Sequence, residues 1–396
     1  MLGSTAVSAG TGLLFWLLAA RVTDAGTVGL GAALIAAVSF LSYLTSMALP
    51  YGILRFARAT TQLGRVLNTA VWASVLTSVL AALVYAAGAG WWAPKLSGLL
   101  DSAADVALFA LAGAGTAAGL LVDNALAARR RGGIALARNA VAGIGKLALL
   151  PLMVDAGPAG VYLAMTLPLA VSAFATLAVL PKLVPGYSPL DLRGGPEVRA
   201  LFGFSLRNYP AALASGAPMF LLPVIAANLL TPAGNAYFYI AWSIGQVAQL
   251  LPGVVSNMAL SEGATEGAAG SAARGQRFTL TLLVPGCVVA VLLAGPAMAL
   301  YGPGYRAGAT TPLQCFVVAA VPWALVLIAQ ARLRAEDRYR DVTALTLLLC
   351  ACTLGLPLLG GRLLGLPGIG LGWLAGATLT ALPVALRRQA PARSAL

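Results

Sequence analysis

From Met1 to Ala20 the chain carries no charged side chain, and charge-poor stretches of similar length recur to its far end. About 20 apolar residues are what an α-helix needs to cross the ~30 Å hydrocarbon core of a bilayer. Of the 396 residues, 60% are hydrophobic and only 9% charged, against about 25% charged in soluble domains. Mean hydropathy is +0.88. A chain this apolar cannot cover its surface in water. The 45 Gly and 23 Pro spread through it argue against long soluble helices. Membrane helices accept both, because neighbouring helices satisfy the freed backbone groups. The fold class read here is an all-α polytopic membrane protein.

About twelve spans are expected, near 2–22, 28–50, 66–90, 104–126, 134–154, 159–181, 200–229, 235–258, 278–299, 310–331, 342–360 and 366–386. They group as an N-terminal six-helix bundle (1–183), a cytosolic linker (184–199), a C-terminal six-helix bundle (200–386) and a cytosolic tail (387–396). Met1–Ala20 could also read as a secretory signal peptide, but it lacks a basic n-region and the other spans follow it.

Charge placement tests this layout. With the N-terminus in the cytosol, the 25 Lys and Arg fall in inner segments in all but five cases: Arg21, Lys95, Arg306 and Arg362 lie outside, and Lys146 lies within a span. That bias follows the positive-inside rule and places both termini in the cytosol. The net charge of +13 needs no nucleic acid, because basic loops face an anionic leaflet. The loops are too short to hold a catalytic domain.

The two halves share a short likeness. Ala19-Ala20-Arg21-Val22 is followed by Thr23-Asp24-Ala25-Gly26, and Ala226-Ala227-Asn228-Leu229-Leu230 by Thr231-Pro232-Ala233-Gly234. Each falls at the turn after the first span of its half. Six spans is an even number, so both halves keep one orientation, as in transporters built of parallel repeats around a central cavity.

Most chemical motifs are absent. The sequence has no His, which removes the commonest metal ligand and general base. Cys287, Cys315, Cys350 and Cys352 all fall within spans and read as small apolar fillers. There is no GxxxxGK[ST] loop for nucleotide phosphates. No cofactor is expected, and the chain does not read as an enzyme. Gly115/Gly119 and the Gly368/Gly372/Gly376 ladder have the spacing that lets helix backbones approach closely.

Charges inside spans carry the stronger signal, since they are costly in lipid and face a cavity or a partner. Lys146 lies near the middle of span five. Arg207 sits about a third of the way into span seven, beside Asn208. Arg55 is near the inner end of span two and Arg21 near the outer end of span one, where an interfacial anchor is the plainer role. Asp123, the one carboxylate well inside a span, is expected to pair with Arg129 or Arg130, or to support the cations. A cationic interior with so little acid favours an anion, and Arg binds phosphate bidentately without losing its charge. Span seven is long and carries Pro210, Pro218 and Pro223, with Gly216 between them. Proline removes a backbone bond and kinks a helix, so this span reads as a hinge, or as a static kink.

The run from Gly12 to Gly29, including Arg21, and the segment Met47-Ala-Leu-Pro-Tyr-Gly-Ile-Leu-Arg55-Phe resemble polysaccharide flippases of the O-antigen/oligosaccharide type. That family belongs to the MOP superfamily, with lipid II flippases and MATE exporters. The layout resemblance covers the whole chain, and the specific residues lie mainly in its first 56 positions. The resemblance implies a V-shaped pair of six-helix bundles working by alternating access. It implies a polyprenyl-diphosphate-linked oligosaccharide as substrate, arginines of spans one and two (Arg21 and Arg55) lining the cavity, and a seventh helix that takes part in the cycle. It further implies a bacterial inner (cell) membrane setting, membrane lipids as surroundings, polysaccharide polymerase or glycosyltransferases as partners, and a monomer. Relatives usually carry a basic or amphipathic segment before span one, and this chain opens almost inside that span. Three other readings stay open: a MATE-like multidrug or cation antiporter, a polytopic glycosyltransferase or ligase, and a scaffold. An antiporter would want a carboxylate deep in span one, seven or eight. A glycosyltransferase would want carboxylates and a sizeable outer loop.

Overall fold

The computed structural model describes the backbone of residues 2–56, 63–129, 131–183, 188, 195–266 and 268–387, and among these the side chains of all but 2, 63, 183, 250–279, 335 and 385–387. Arg58, Arg130, Arg193, Arg388 and Arg393, most of the linker 184–199 and nearly all of the tail 387–396 lie outside the described residues. The elements are α1 (Leu2–Val22), α2 (Ala25–Thr45), α3 (Leu49–Phe56), α4 (Leu63–Ala87), the one-turn helices α5 (Ala89–Trp92) and α6 (Pro94–Ser97), α7 (Ala103–Ala128), α8 (Gly132–Met153), a 3-10 turn (Val154–Ala156), α9 (Gly157–Leu183) and α10 (Pro196–Leu229). They continue with α11 (Pro232–Glu266), α12 (Ala268–Ala299), α13 (Pro303–Ala335) and α14 (Tyr339–Arg387).

Among the described residues, nine stretches are long and apolar enough to cross a membrane. Two are double. Gly132–Lys182 holds α8 and α9, and Tyr339–Val384 follows α14, whose backbone leaves the helix at Gly365 (φ 65°, ψ −141°). Divided there, and with α11 added, these stretches account for the expected spans.

The second span differs from expectation. The region 28–50 is not one helix: α2 stops at Thr45, and Met47 and Ala48 turn the chain with φ of 48° and 56° before α3 begins. Left-handed backbone at residues other than Gly costs about 1–3 kcal/mol each. Pro50 fits the first turn of α3, where no backbone N–H is needed. Carbonyls in the last turn of α2 accept from hydroxyls. Thr45 Oγ1 donates to Leu41 O at 2.8 Å, Ser46 Oγ to Tyr43 O at 2.8 Å, and Thr77 Oγ1 of α4 to Thr45 O at 3.3 Å. Tyr209 of α10 donates its hydroxyl to Leu44 O.

The two short matching segments do the same local work. Asp24 caps α2, accepting from the backbone N–H of Gly26 (2.8 Å) and Thr27 (3.1 Å) and from the Thr27 hydroxyl (2.6 Å). Those bonds, led by the Thr27 hydroxyl, hold its carboxyl below the usual carboxylate range. At the start of α11, Thr231 Oγ1 accepts from Gly234 N–H at 3.1 Å.

By packing, the chain divides into two compact units, Met1–Asn228 and Leu229–Leu396. The seventh span, α10, thus packs with the first unit, whereas the sequence groups it with 200–386. The reason is local. Val198 and Leu201 of α10 share a buried cluster with Leu49 and Ile53 of α3 and Leu67 and Val71 of α4. Gly52 permits this approach, since a Cβ there would fall 2.5 Å from Leu201 Cδ1 and from Ser205 Oγ.

The core of the second unit is aromatic. Trp373, fully buried, meets Trp242 edge-on (ring centroids 4.8 Å) and stacks on Trp323 (5.4 Å), and Phe316 meets both Trp242 and Phe238 edge-on. The glycine ladder packs the two halves of α14 together: a Cβ at Gly372 would lie 2.5 Å from the Leu356 backbone, and one at Gly376 would lie 2.6 Å from Cys352 O. In the first unit Gly115 of α7 lies directly against Ala170 of α9. Gly115→Val is expected to force α7 and α9 apart, at a cost of about 1–3 kcal/mol, read as a lower melting temperature in detergent. Gly286→Val, with nothing within 4 Å of its Cβ, is expected to change stability by no more than about 0.5 kcal/mol.

Candidate functional site

Lys146 belongs to the face of α8 formed by Ala135, Ala142, Gly143 and Leu150, all buried. That face meets α1. A Cβ on Gly143 would touch Thr11 at 2.8 Å, and one on Gly12 would lie 3.9 Å from Lys146 Nζ. Small residues therefore bring the two helices together and leave the ammonium against the α1 backbone. Lys146 is 5% exposed. It stands roughly 21 Å from the start of α8 and roughly 10 Å from its end at helical rise, too deep for easy reach to water. Among the described residues its ammonium has no hydrogen-bond or ion-pair partner.

Two other expected cations belong to α3 and α10, which pack together. The Arg55 guanidinium carbon lies 4.5 Å from the Phe204 ring centroid and 5.8 Å from that of Phe56. The two rings meet edge-on, with centroids 5.8 Å apart. Arg207, one turn beyond Gly203, donates Nε–H to Gly203 O at 2.9 Å, and its guanidinium lies over that glycine, where a Cβ would fall 3.7 Å from Nη2. It lines a cleft of about 730 Å³ with Arg199, Phe202 and Gly203. Arg55 and Arg207 are both exposed. Asn208 gives its amide to Phe204 O at 2.8 Å, so this donor is turned onto its own helix.

Arg21 lies apart from these, exposed in the last turn of α1, where the helix dipole favours a cation. Following the alternation of the helices, Arg55 and Arg207 lie toward the side of the α7–α8 turn, Lys146 lies within, and Arg21 lies at the opposite end. The expected cations thus occupy three levels of the first unit and do not form one cluster.

Asp123 has a different partner from those expected. It forms an ion pair with Arg138 of α8 and, among the described residues, none with Arg129. Arg129 is exposed at the end of α7 and Arg130 is outside the described residues, whereas Arg138 lies opposite Asp123 across the α7–α8 hairpin. The Arg138 side chain is only 7% exposed, and Gly119 leaves room for it, because a Cβ there would fall 3.2 Å from its guanidinium. The link continues: Arg138 donates to Asn139 Oδ1 at 3.0 Å, and Asn139 Nδ2 to Ser4 Oγ of α1 at 2.6 Å. A polar chain therefore joins α7, α8 and α1. The sequence reading assigns Arg138 to an inner loop and misses it. The available signal was its place just inside span five, facing an acid just inside span four.

The hinge residues lie in a helix that continues through all three prolines. Pro218 and Pro223 are buried and Pro210 is exposed. The ring of Tyr43 of α2 occupies the space that a side chain at Gly216 would need.

No protein-family model and no curated protein sequence matches the chain. Solved structures do. The lipid II flippase MurJ in an inward closed conformation matches with a TM-score of 0.76 at 11% identity, over 97% of this chain and 86% of that one. An inward-facing multidrug resistance MATE family transporter of the MOP superfamily matches with 0.68 at 14%, over 96% and 93%. MATE in complex with MaL6 matches with 0.61 at 16%, over 98% and 93%. The chain shares the fold of these solved structures and is a multi-pass membrane protein.

The ion pair gives a direct test. Asp123→Ala leaves the Arg138 guanidinium without its carboxylate and is expected to cost about 1–3 kcal/mol. Replacing both residues by apolar ones should cost less than that single change. Thermal unfolding of the three variants in detergent reads the difference.

Proposed function

We propose that this protein is a flippase that moves a polyprenyl-diphosphate-linked oligosaccharide from the inner to the outer leaflet for cell-surface polysaccharide synthesis. The observation that carries this reading is Lys146, a buried lysine deep in a span whose ammonium has no anionic partner among the described residues. An uncompensated cation at that depth is costly, and a diphosphate supplies the missing charge. Arg55 and Arg207 offer guanidinium groups toward the side carrying most of the basic loops, where a diphosphate would first meet the protein. Arg21 offers another at the far end.

In this mechanism the headgroup passes from Arg55 and Arg207 to Lys146 and leaves past Arg21, while the prenyl tail stays in the bilayer. The two six-helix halves alternate access, both termini are cytosolic, and the setting is a bacterial inner membrane. The protein works as a monomer beside a polysaccharide polymerase or glycosyltransferases. The fold supports the reading, since one matching structure is a lipid II flippase. The MATE matches favour a second reading, a cation or drug antiporter. The charge speaks against it: Asp123, the acid expected deepest in a span, is taken by Arg138.

Translocation of a labelled polyprenyl-diphosphate oligosaccharide in proteoliposomes tests the proposal. Hydrogen bonds to charged groups contribute about 1.5–3 kcal/mol, so Lys146→Ala and Arg207→Ala are each expected to lower the rate roughly 10- to 100-fold, with Lys146→Arg largely retaining it. Wild-type transport that neither change affects would remove the site assignment. Absence of lipid translocation together with efflux of small organic cations would replace the flippase by the antiporter.

A further inference from the structure

The seventh helix touches its own unit unevenly. Its buried residues form two groups, Val198, Leu201 and Ser205 near the start and Pro218, Leu222, Pro223 and Ala226 near the end. Between them, from Leu206 to Ala217, no residue of α10 is buried. The far end is fastened again by Lys95 of α6, whose ammonium donates to Ala227 O (3.2 Å) and Asn228 O (2.9 Å). A cation at a helix C-terminus satisfies carbonyls that have no N–H partner. The helix is thus packed most deeply near its two ends and only partly covered between them.

The unanchored stretch is also where the helix is weakest. Proline has no N–H, so Pro210 and Pro218 leave the carbonyls of Leu206 and Ala214 without their helical donors. Two reciprocal bonds hold this stretch to α2. Tyr209 of α10 donates its hydroxyl to Leu44 O, and Tyr43 of α2 donates its hydroxyl to Ala212 O. The Tyr43 ring lies against Gly216 and stacks on Phe220 (centroids 4.5 Å, 17° between planes). Leu44 O lies at the break that ends α2, so the Tyr209 hydroxyl also serves that irregularity.

We propose that Tyr43 and Tyr209 form a releasable latch that holds the proline-weakened middle of the seventh helix straight against the second. While closed, it fixes the register in which Phe204, one turn before Arg207, meets Arg55. Opened, it lets Leu206–Ala217 bow between its two anchors and carries Arg207 with it. The latch stands on packing and hydrogen bonds alone; its consequence for Arg207 rests on the flippase reading. Tyrosine suits this role because a hydroxyl-to-carbonyl bond contributes only about 1 kcal/mol net, enough to bias the helix and weak enough to break.

Hydrogen–deuterium exchange of the full-length protein in lipid nanodiscs, without substrate, tests the latch separately from any transport activity. Tyr43→Phe and Tyr209→Phe keep the rings and remove only the hydroxyls. Each is expected to raise exchange of the amides between 206 and 217 about fivefold, the equivalent of one such bond, and the double variant more than either. Peptides from α4, α7 and the start of α10 should stay unchanged, as should every peptide of Tyr51→Phe, an exposed tyrosine of α3. Unchanged exchange between 206 and 217 in the double variant would overturn the latch. A rise spread evenly over the unit would also overturn it, because the tyrosines would then be ordinary packing residues.

Discussion

In a bilayer no water reaches the backbone, so every carbonyl that leaves a helix ladder must find a donor within the protein. Much of the first unit follows from that constraint. The chain breaks at Met47 and Ala48, and the exposed carbonyls are met by Thr45, Ser46, Thr77 and Tyr209. Ser42 extends the pattern by donating to Gly113 O of α7 at 3.2 Å. These hydroxyls tie α2 to α4, α7 and α10, so the irregular point of one helix becomes the place where four helices are joined. The same constraint explains why α10 can carry three prolines and remain a helix: its ends are packed and its middle is held by tyrosine hydroxyls.

Charge is arranged under a similar rule. Arg138 lies inside the unit with a carboxylate, an amide and, through that amide, a hydroxyl in line. Lys146, two turns further along α8, has no such company. One buried cation therefore has an ion-pair partner in the fold, and the other has none among the described residues. That difference decides which of them reads as structural and which as a binding group, and it favours an anionic cargo.

The spans, their number and the depth of Lys146 were legible because an apolar period and an isolated charge are both local signals. The Gly368/Gly372/Gly376 ladder was legible as packing for the same reason. The break in α2 was not, since Met47 and Ala48 are not the residues that mark left-handed backbone and only tertiary hydroxyls hold them there. The partner of Asp123 was missed because proximity in sequence pointed to Arg129 and Arg130, while the hairpin brings Arg138 across. The sequence marks four cations in or near spans, but it could not show that they occupy three levels, or that α10 packs with the first unit through Leu201 and Tyr43.

The central claim of the proposed function is that Lys146 receives an anionic headgroup. Gly12→Cys, with the four native cysteines replaced by Ala, places a thiol beside that ammonium without removing it, since a Cβ there lies 3.9 Å from Nζ. The rate of its modification by small anionic and cationic thiol reagents is the measurement. The account predicts that the anionic reagent reacts faster, that Lys146→Gln abolishes the preference, and that polyprenyl diphosphate slows the reaction. A thiol that reacts equally with both reagents, unprotected by the lipid, would contradict it.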